Sequence, residues 1–391
     1  MDPILRNARQ YRELMTELRR HFHMHPEPGW QEHETATLVR STLERFRIPY
    51  TPIPPTGTVA ILEGEQPGRT VALRADMDAL PIEEKSGQPY ISQNKGFSHA
   101  CGHDAHTAML LGAAGVLSGM RHRIKGSIKL IFQPAEEIFG GALSIIAGGA
   151  MKGVDAVFGM HILGALPSGT AAVSAGAVMA AASHFRLTVT GPGGHGGMPH
   201  EGVDAILAAS AVIMNLQAIA SREIDPLETG VVSVGRVAGG TAYNVLASRV
   251  EMEGTTRSFS EKVDAALEEK IGRISRNTAR AYGAEASLTY TRSVPPTVND
   301  LPLTALAEKA IDAVCGSEGR RSFSPVTGAE DFAFYLREVP GLFLFLGGGN
   351  KKKGLCFVQH HPSFDIDEDA LEIGAALYAR LALDFLDNET G

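Results

Sequence analysis

Four stretches of this 391-residue chain concentrate side chains able to ligate a metal or carry a proton. In HACGHDAHTAML (99–110), Cys101 and His103 stand two residues apart where a helix is predicted to begin. A thiolate and a neutral imidazole both suit a borderline divalent cation. A small buried cysteine in a polar loop is the alternative reading. Asp104 and His106 would then fix a ligand ring from behind. In LIFQPAEEIFGGA (130–142) an apolar strand runs into Gln133-Pro134 and reaches the adjacent carboxylates Glu136 and Glu137. Neighbouring side chains there point in different directions, so one can ligate a metal while the other moves a proton. A solvated pair at a helix N-terminus is the plain alternative. His161 closes the run AVFGMHI, and His360-His361-Pro362 follow LCFVQ. Both place imidazoles at the ends of apolar strands, where open α/β sheets bind their ligands.

A chain of this length exceeds one hydrophobic core, so two domains are expected. Residues are 44% apolar and 20% charged, as in soluble globular proteins. A formal charge of −8 and a pI near 6.0 argue against a nucleic-acid partner, which needs a basic face. Three scattered cysteines (101, 315 and 356) make no disulfide framework and point to a reducing compartment. The N-terminus lacks the apolar core of a signal peptide. The uncharged stretch 162–183 holds too much Pro, Gly and Ser for a membrane helix. A cytoplasmic protein without a membrane partner is expected.

The elements that must hold these residues alternate. Helices are expected at 4–22 and 32–47, strands at 58–62, 70–76, 127–132 and 155–160, and helices at 104–119 and 141–151 between them. This predicts an α/β core with a largely parallel sheet. The middle of the chain reads strand 184–191, helix 202–221, strands 230–237 and 248–257, helix 260–282 and strand 286–293. That order, β-α-β-β-α-β, is ferredoxin-like. Its first helix shows an apolar stripe at Ile206, Ala209, Ile213, Leu216 and Ala220. Helix 302–314, strand 341–347 and helix 367–387 then restore the α/β pattern. The expectation is a catalytic α/β domain from 1–182 and 293–391 with an inserted lid and dimerisation domain at 183–292. In TGAED, Thr327 and Glu330 have the spacing of a capping box, and Asp76 and Asp78 are expected to shape a loop beneath the site.

Taken together, FHMHPEPGWQEHET (22–35), RADMDALPIEE (74–84), HACGHDAHTAMLLGAA (99–114), QPAEE (133–137), GMH (159–161), GPGGHGGMPH (191–200), AYNVLAS (242–248), GTTRSF (254–259), GAEDFAFY (328–335) and HHPSFDIDE (360–368) carry a resemblance almost end to end. The chain resembles the amidohydrolase branch of the aminoacylase-type metallopeptidases, which includes hippurate hydrolases, N-acyl-amino-acid deacetylases and plant auxin-conjugate hydrolases. The resemblance implies two divalent ions (manganese, zinc, cobalt or nickel) held by Cys101, His103, Glu137, His161 and His360. His360 is chosen over His361 because the family histidine lies two residues before the proline. Glu136 would be the general base for water attack on an amide. His195, in a Gly-rich loop, would stabilise the oxyanion, and Asn244 and Arg257 would meet the substrate. The implied substrate is a small N-acyl-L-amino acid, with a homodimer formed through the inserted domain. A dipeptidase or carboxypeptidase of the same fold, or a non-catalytic metal-binding relative, are the competing readings.

Overall fold

The structure is a computed structural model that describes residues 2–388. One compact unit runs up to Gly176, takes in Val298–Ser324, and resumes at Asp331; the other is Ala177–Thr297 with Pro325–Glu330. In chain order the first unit contributes α1 (Arg12–Met24), α2 (His33–Arg45), β1 (Tyr50–Ile53), β2 (Gly57–Glu63), β3 (Gln66–Asp76), α3 (His103–Ser118), β4 (Lys125–Gln133) and β5 (Ala156–Pro167). The second unit follows with β6 (Ala181–Thr190), α4 (Ala205–Ala218), β7 (Gly230–Gly239), β8 (Arg249–Ser258), α5 (Glu261–Ala281) and β9 (Glu285–Val294). The chain then returns with α6 (Leu301–Cys315), β10 (Gly341–Gly349) and α7 (Ala370–Asp387).

The first unit is built on a mixed eight-stranded sheet, ordered β1-β2-β4-β3-β5-β10 and completed by the short strands Ala171–Ala172 and Arg320–Arg321. Its centre is parallel: β3 pairs with β4 and β5, and β5 with β10. The β1-β2 and β2-β4 pairs are antiparallel. Between β3 and β4 the chain crosses over through α3, whose residues from His103 to Leu117 are all buried. A helix that is apolar all round belongs inside a core, and α3 packs against β3, α1 and α7. The helix expected over 4–22 is two, Pro3–Arg9 and α1. At their junction the Tyr11 ring meets Phe46 edge-on and its hydroxyl donates to Gly115 O at 3.0 Å.

The second unit is an antiparallel four-stranded sheet, β7-β8-β6-β9, with two helices, the ferredoxin-like order. Its core joins Phe185, Leu187 and Val189 of β6 to Met252 of β8 and Leu267 and Ile271 of α5. The face that α4 buries is Ala205, Ala208, Ala209, Val212 and Leu216, so the expected stripe is out of phase: Ile206 is exposed. The helix is apolar on both sides, and periodicity alone cannot choose the inner one. The stretch Ala205–Glu223 is long and apolar enough by composition to cross a membrane, yet its inner side fills this core. Pro325–Glu330 joins the unit through Val326 N–H to Val178 O (3.0 Å) and Ala180 N–H to Gly328 O (2.9 Å). The expected boundaries at 183 and 292 miss this because a six-residue strap has no periodicity of its own.

Candidate metal centre

β3 and β4 end at Asp76 and Gln133, and β5 carries His161 at the same level, just past its last pair with β3; β5 itself runs on to Pro167, so His161 lies within its strand and not at the expected end. Cys101 and His103 arrive at the N-terminus of α3 on either side of Gly102. Gly102 has φ +91°, and a Cβ there would lie 2.5 Å from Ile162 Cγ2; only glycine fits this corner. After β4, Ala135 adopts φ +52° just before Glu136 and Glu137. Its N–H donates to the buried carboxylate of Glu32 at 2.8 Å. His360 also sits at positive φ, +64°, held by its N–H to Ala100 O at 2.8 Å. Positive φ at non-glycine residues is uncommon and costs of order 1–3 kcal/mol, and such strain clusters at functional sites.

The side chains converge. Cys101 Sγ is 3.3 Å from His161 Nε2, and Glu137 Oε1 lies 3.8 Å from His103 Nε2 and 3.6 Å from His360 Nε2. The ligand atoms of Cys101, His103 and His161 all lie within 4.8 Å of one another. The same holds for Cys101, Glu137 and His360, and for His103, Glu136 and Glu137. His103 Nε2 and Glu137 Oε1 are buried without a hydrogen-bond partner, which is costly unless something binds them.

Electrostatics point the same way. Burial pushes the Cys101 thiol well up, and Glu137, Glu136 and Asp76 push it further. Burial raises Glu137 to about 7. For His103, burial pulls down, but Asp76, Asp78 and Glu137 outweigh it and raise the imidazole to about 10. Burial and the neighbouring His106 hold His161 well below its ordinary value, hence neutral. The point thus gathers carboxylates, a thiol and neutral imidazole, and it stabilises positive charge. These residues fit one or more divalent cations.

A buried framework orients the candidate ligands. His103 Nδ1 faces Asp78 O at 2.9 Å and Oδ1 at 3.2 Å, which turns Nε2 inward. Asp78 Oδ2 also accepts the Glu137 N–H at 3.0 Å. His106 is no ligand: its Nε2 accepts the Ile162 N–H (2.8 Å), so Nδ1 carries the proton and donates to Asp76 Oδ1 (2.6 Å). From there Arg74 bridges Asp76 (2.6 Å) and Asp331 (2.9 Å), and Gln133 binds both Arg74 and Asp331. The Asp331 N–H approaches Glu136 Oε1 at 3.4 Å. One strut therefore links the backbone beside His161 to Glu136. Sequence reasoning missed Arg74, Gln133 and Asp331. The available signal was a charged residue inside the strand TVALRAD, since an arginine buried in a sheet needs carboxylate partners.

Of the expected site residues, Cys101, His103, Glu136, Glu137, His161 and His360 meet in the first unit. His195, Asn244 and Arg257 belong to the second. There a two-stranded ribbon pairs His195 with Val245, and Asn244 O accepts the Gly196 N–H at 2.8 Å. His195 Nδ1 accepts the Gly197 N–H at 2.9 Å, leaving the proton on Nε2. Arg257, on β8, donates from Nε to Thr327 O (3.2 Å) and from Nη1 to Thr256 O (2.8 Å) and to Thr255 Oγ1. The Thr327–Glu330 capping box does not form: the next helical turn begins at Asp331, and Glu330 is buried.

An α/β core that brings a thiol, imidazoles and carboxylates to one buried point has the donor set a metal-dependent hydrolase requires. The chain belongs to the peptidase family M20/M25/M40, whose pattern matches residues 72–384. It is 39% identical to the N-acetylcysteine deacetylase of Bacillus subtilis (strain 168) over 95% of this chain and 96% of that protein. It is also 39% identical to a thermostable carboxypeptidase of Saccharolobus solfataricus, over 98% of each. A dinuclear metal binding peptidase of the M20 family from Bacillus subtilis superposes with a TM-score of 0.87 at 35% identity, covering 97% of this chain and 99% of that one.

Proposed function

We propose that this protein hydrolyses the amide bond of N-acyl-L-amino acids, releasing a carboxylate and a free amino acid. Two divalent ions are held by Cys101, His103, Glu137, His161 and His360. The observation that carries this reading is the convergence of three overlapping ligand sets on one buried, carboxylate-rich point. When bound, such ions supply Lewis acidity toward water and toward an amide carbonyl. Glu136 is the general base: its carboxylate, 5% exposed, takes the proton of the attacking water and returns it to the leaving nitrogen. The Asp331 N–H on Oε1 sets the direction of that carboxylate. His195 offers an Nε2–H donor, the kind of group that stabilises an amide oxygen as charge develops on it.

Arg257 is proposed to recognise the free α-carboxylate, with Asn244 as a further polar contact. Its Nη2 makes no hydrogen bond among the described residues, and a guanidinium is a strong carboxylate partner. Arg257→Ala is expected to weaken transition-state binding of carboxylate substrates by about 1.5–3 kcal/mol. The corresponding α-amide substrates should change little; equal losses on both would assign Arg257 a structural role.

A carboxypeptidase reading is favoured by the 39% identity to the archaeal carboxypeptidase. A substrate panel separates the two. Acetyl-, benzoyl- and indoleacetyl-amino acids are expected to exceed free-amine dipeptides by about tenfold or more in kcat/KM, ~1.4 kcal/mol in transition-state binding. The opposite order would make the enzyme a peptidase. We further propose a homodimer through the second unit, supported by the exposed Ile206, Leu207 and Met214 of α4 and the open edge strand β7.

A further inference from the structure

At the end of α1, histidines occupy positions 21, 23 and 25 with opposite fates. His23 turns inward, bonding Asp104 Oδ2 (2.8 Å) and Glu84 Oε1 (3.0 Å). His21 and His25, four apart, share the outer face, as i and i+4 side chains of a helix do. Their ring centroids are 4.7 Å apart with planes at 41°. Glu34, in the first turn of α2, brings Oε1 to 3.1 Å from His21 Nε2. One ligand atom from each of His21, His25 and Glu34 lies within 4.8 Å of the others. The backbone on both sides is fixed: His25 N–H donates to His21 O (3.1 Å), and the Glu27 carboxylate accepts the N–H groups of Glu34 (3.0 Å) and Thr35 (2.9 Å).

We propose that His21, His25 and Glu34 form a further metal site, separate from the hydrolytic centre, that takes an imidazole-preferring divalent ion of the zinc, nickel or copper type. Two imidazoles at helical i, i+4 spacing and one carboxylate are a recurrent donor set for such ions. Bonds of about 2.0–2.2 Å place tetrahedral ligands roughly 3.4 Å apart, close to the 3.1 Å His21–Glu34 separation. The site shares no residue with the hydrolytic centre. Its ion ties the last turn of α1 to the first turn of α2, across the loop containing Glu32, whose carboxylate holds Ala135. Closing such a loop removes freedom from the unfolded chain.

The test uses the holoenzyme with its hydrolytic metals loaded, equilibrated with zinc at fixed free concentrations. Elemental analysis is expected to find one more zinc per chain in the native protein than in the His21→Ala, His25→Ala double variant. Glu34→Gln should need higher free zinc to fill the same site. Added zinc should raise the unfolding temperature of the native protein and not that of the double variant. The variants alter half-exposed side chains outside the catalytic machinery, so their hydrolytic activity should confirm that they fold. Equal zinc uptake and an equal thermal response in the native and double-variant proteins would overturn the proposal.

Discussion

Glu136 and Glu137 are chain neighbours with opposite surroundings. Glu137 presents an unpartnered buried oxygen to His103 and His360, whereas Glu136 is steadied by the Asp331 N–H. Glu136→Gln is therefore expected to keep its metals while losing about 10²–10⁴-fold in kcat, the usual contribution of a general base. Glu137→Gln should instead lower metal content, read by elemental analysis; the reverse pattern would exchange the two roles. The side chains that converge at the site were legible because cysteine, histidine and paired acids are conspicuous beside apolar runs. The strut behind them was not. Arg74 and Asp331 are 257 residues apart, and a pairing of that separation leaves no local pattern.

Among the elements, α1 and α3 are joined by a buried charge network. Arg19 bonds Asp104 at 2.7 Å and Asp365 at 2.5 Å, and His23 bonds Asp104 and Glu84. Burial and Arg19 pull the His23 imidazole down, but Asp104 and Glu84 outweigh them and raise it from 6.5 to about 9. A raised folded-state value means that folding favours the protonated form. His23 thus contributes stability that is fully present below about pH 6.5 and lost as the pH rises through about 9. Denaturation of the native protein and His23→Gln from pH 6 to 10 should show their stability difference shrinking across that window; a constant difference would contradict the network. Most of the helices and strands were legible from periodicity, but the break between Pro3–Arg9 and α1 and the short strand β1 were not. The inner face of α4 was not, because Ile206, Leu207 and Met214 are as apolar as the residues it buries.

For the whole molecule, the fold class was readable from the order of elements: βα alternation, an interposed β-α-β-β-α-β run, and a return to α/β. The antiparallel flank β1-β2 and the strap Pro325–Glu330 were not, since both depend on partners distant in the chain. The proposed homodimer raises the question of which subunit His195 serves. Glu136→Gln and His195→Ala, unfolded together and refolded as a mixture, should form heterodimers. If His195 acts across the interface, one site per heterodimer combines an intact base with an intact imidazole, and activity returns. Inactive heterodimers, verified by mass, would confine His195 to its own subunit.

In the proposed reaction, hydrolysis depends on metal at the point shared by Cys101, His103, Glu137, His161 and His360. Metal content and N-acyl amino acid turnover, measured on the same samples through chelation and refilling, decide whether it does. Turnover is expected to vanish with the metal and to return with divalent ion. Cys101→Ala is expected to lose both metal and rate, because a proposed ligand would be gone. Undiminished turnover in metal-free protein would contradict that dependence.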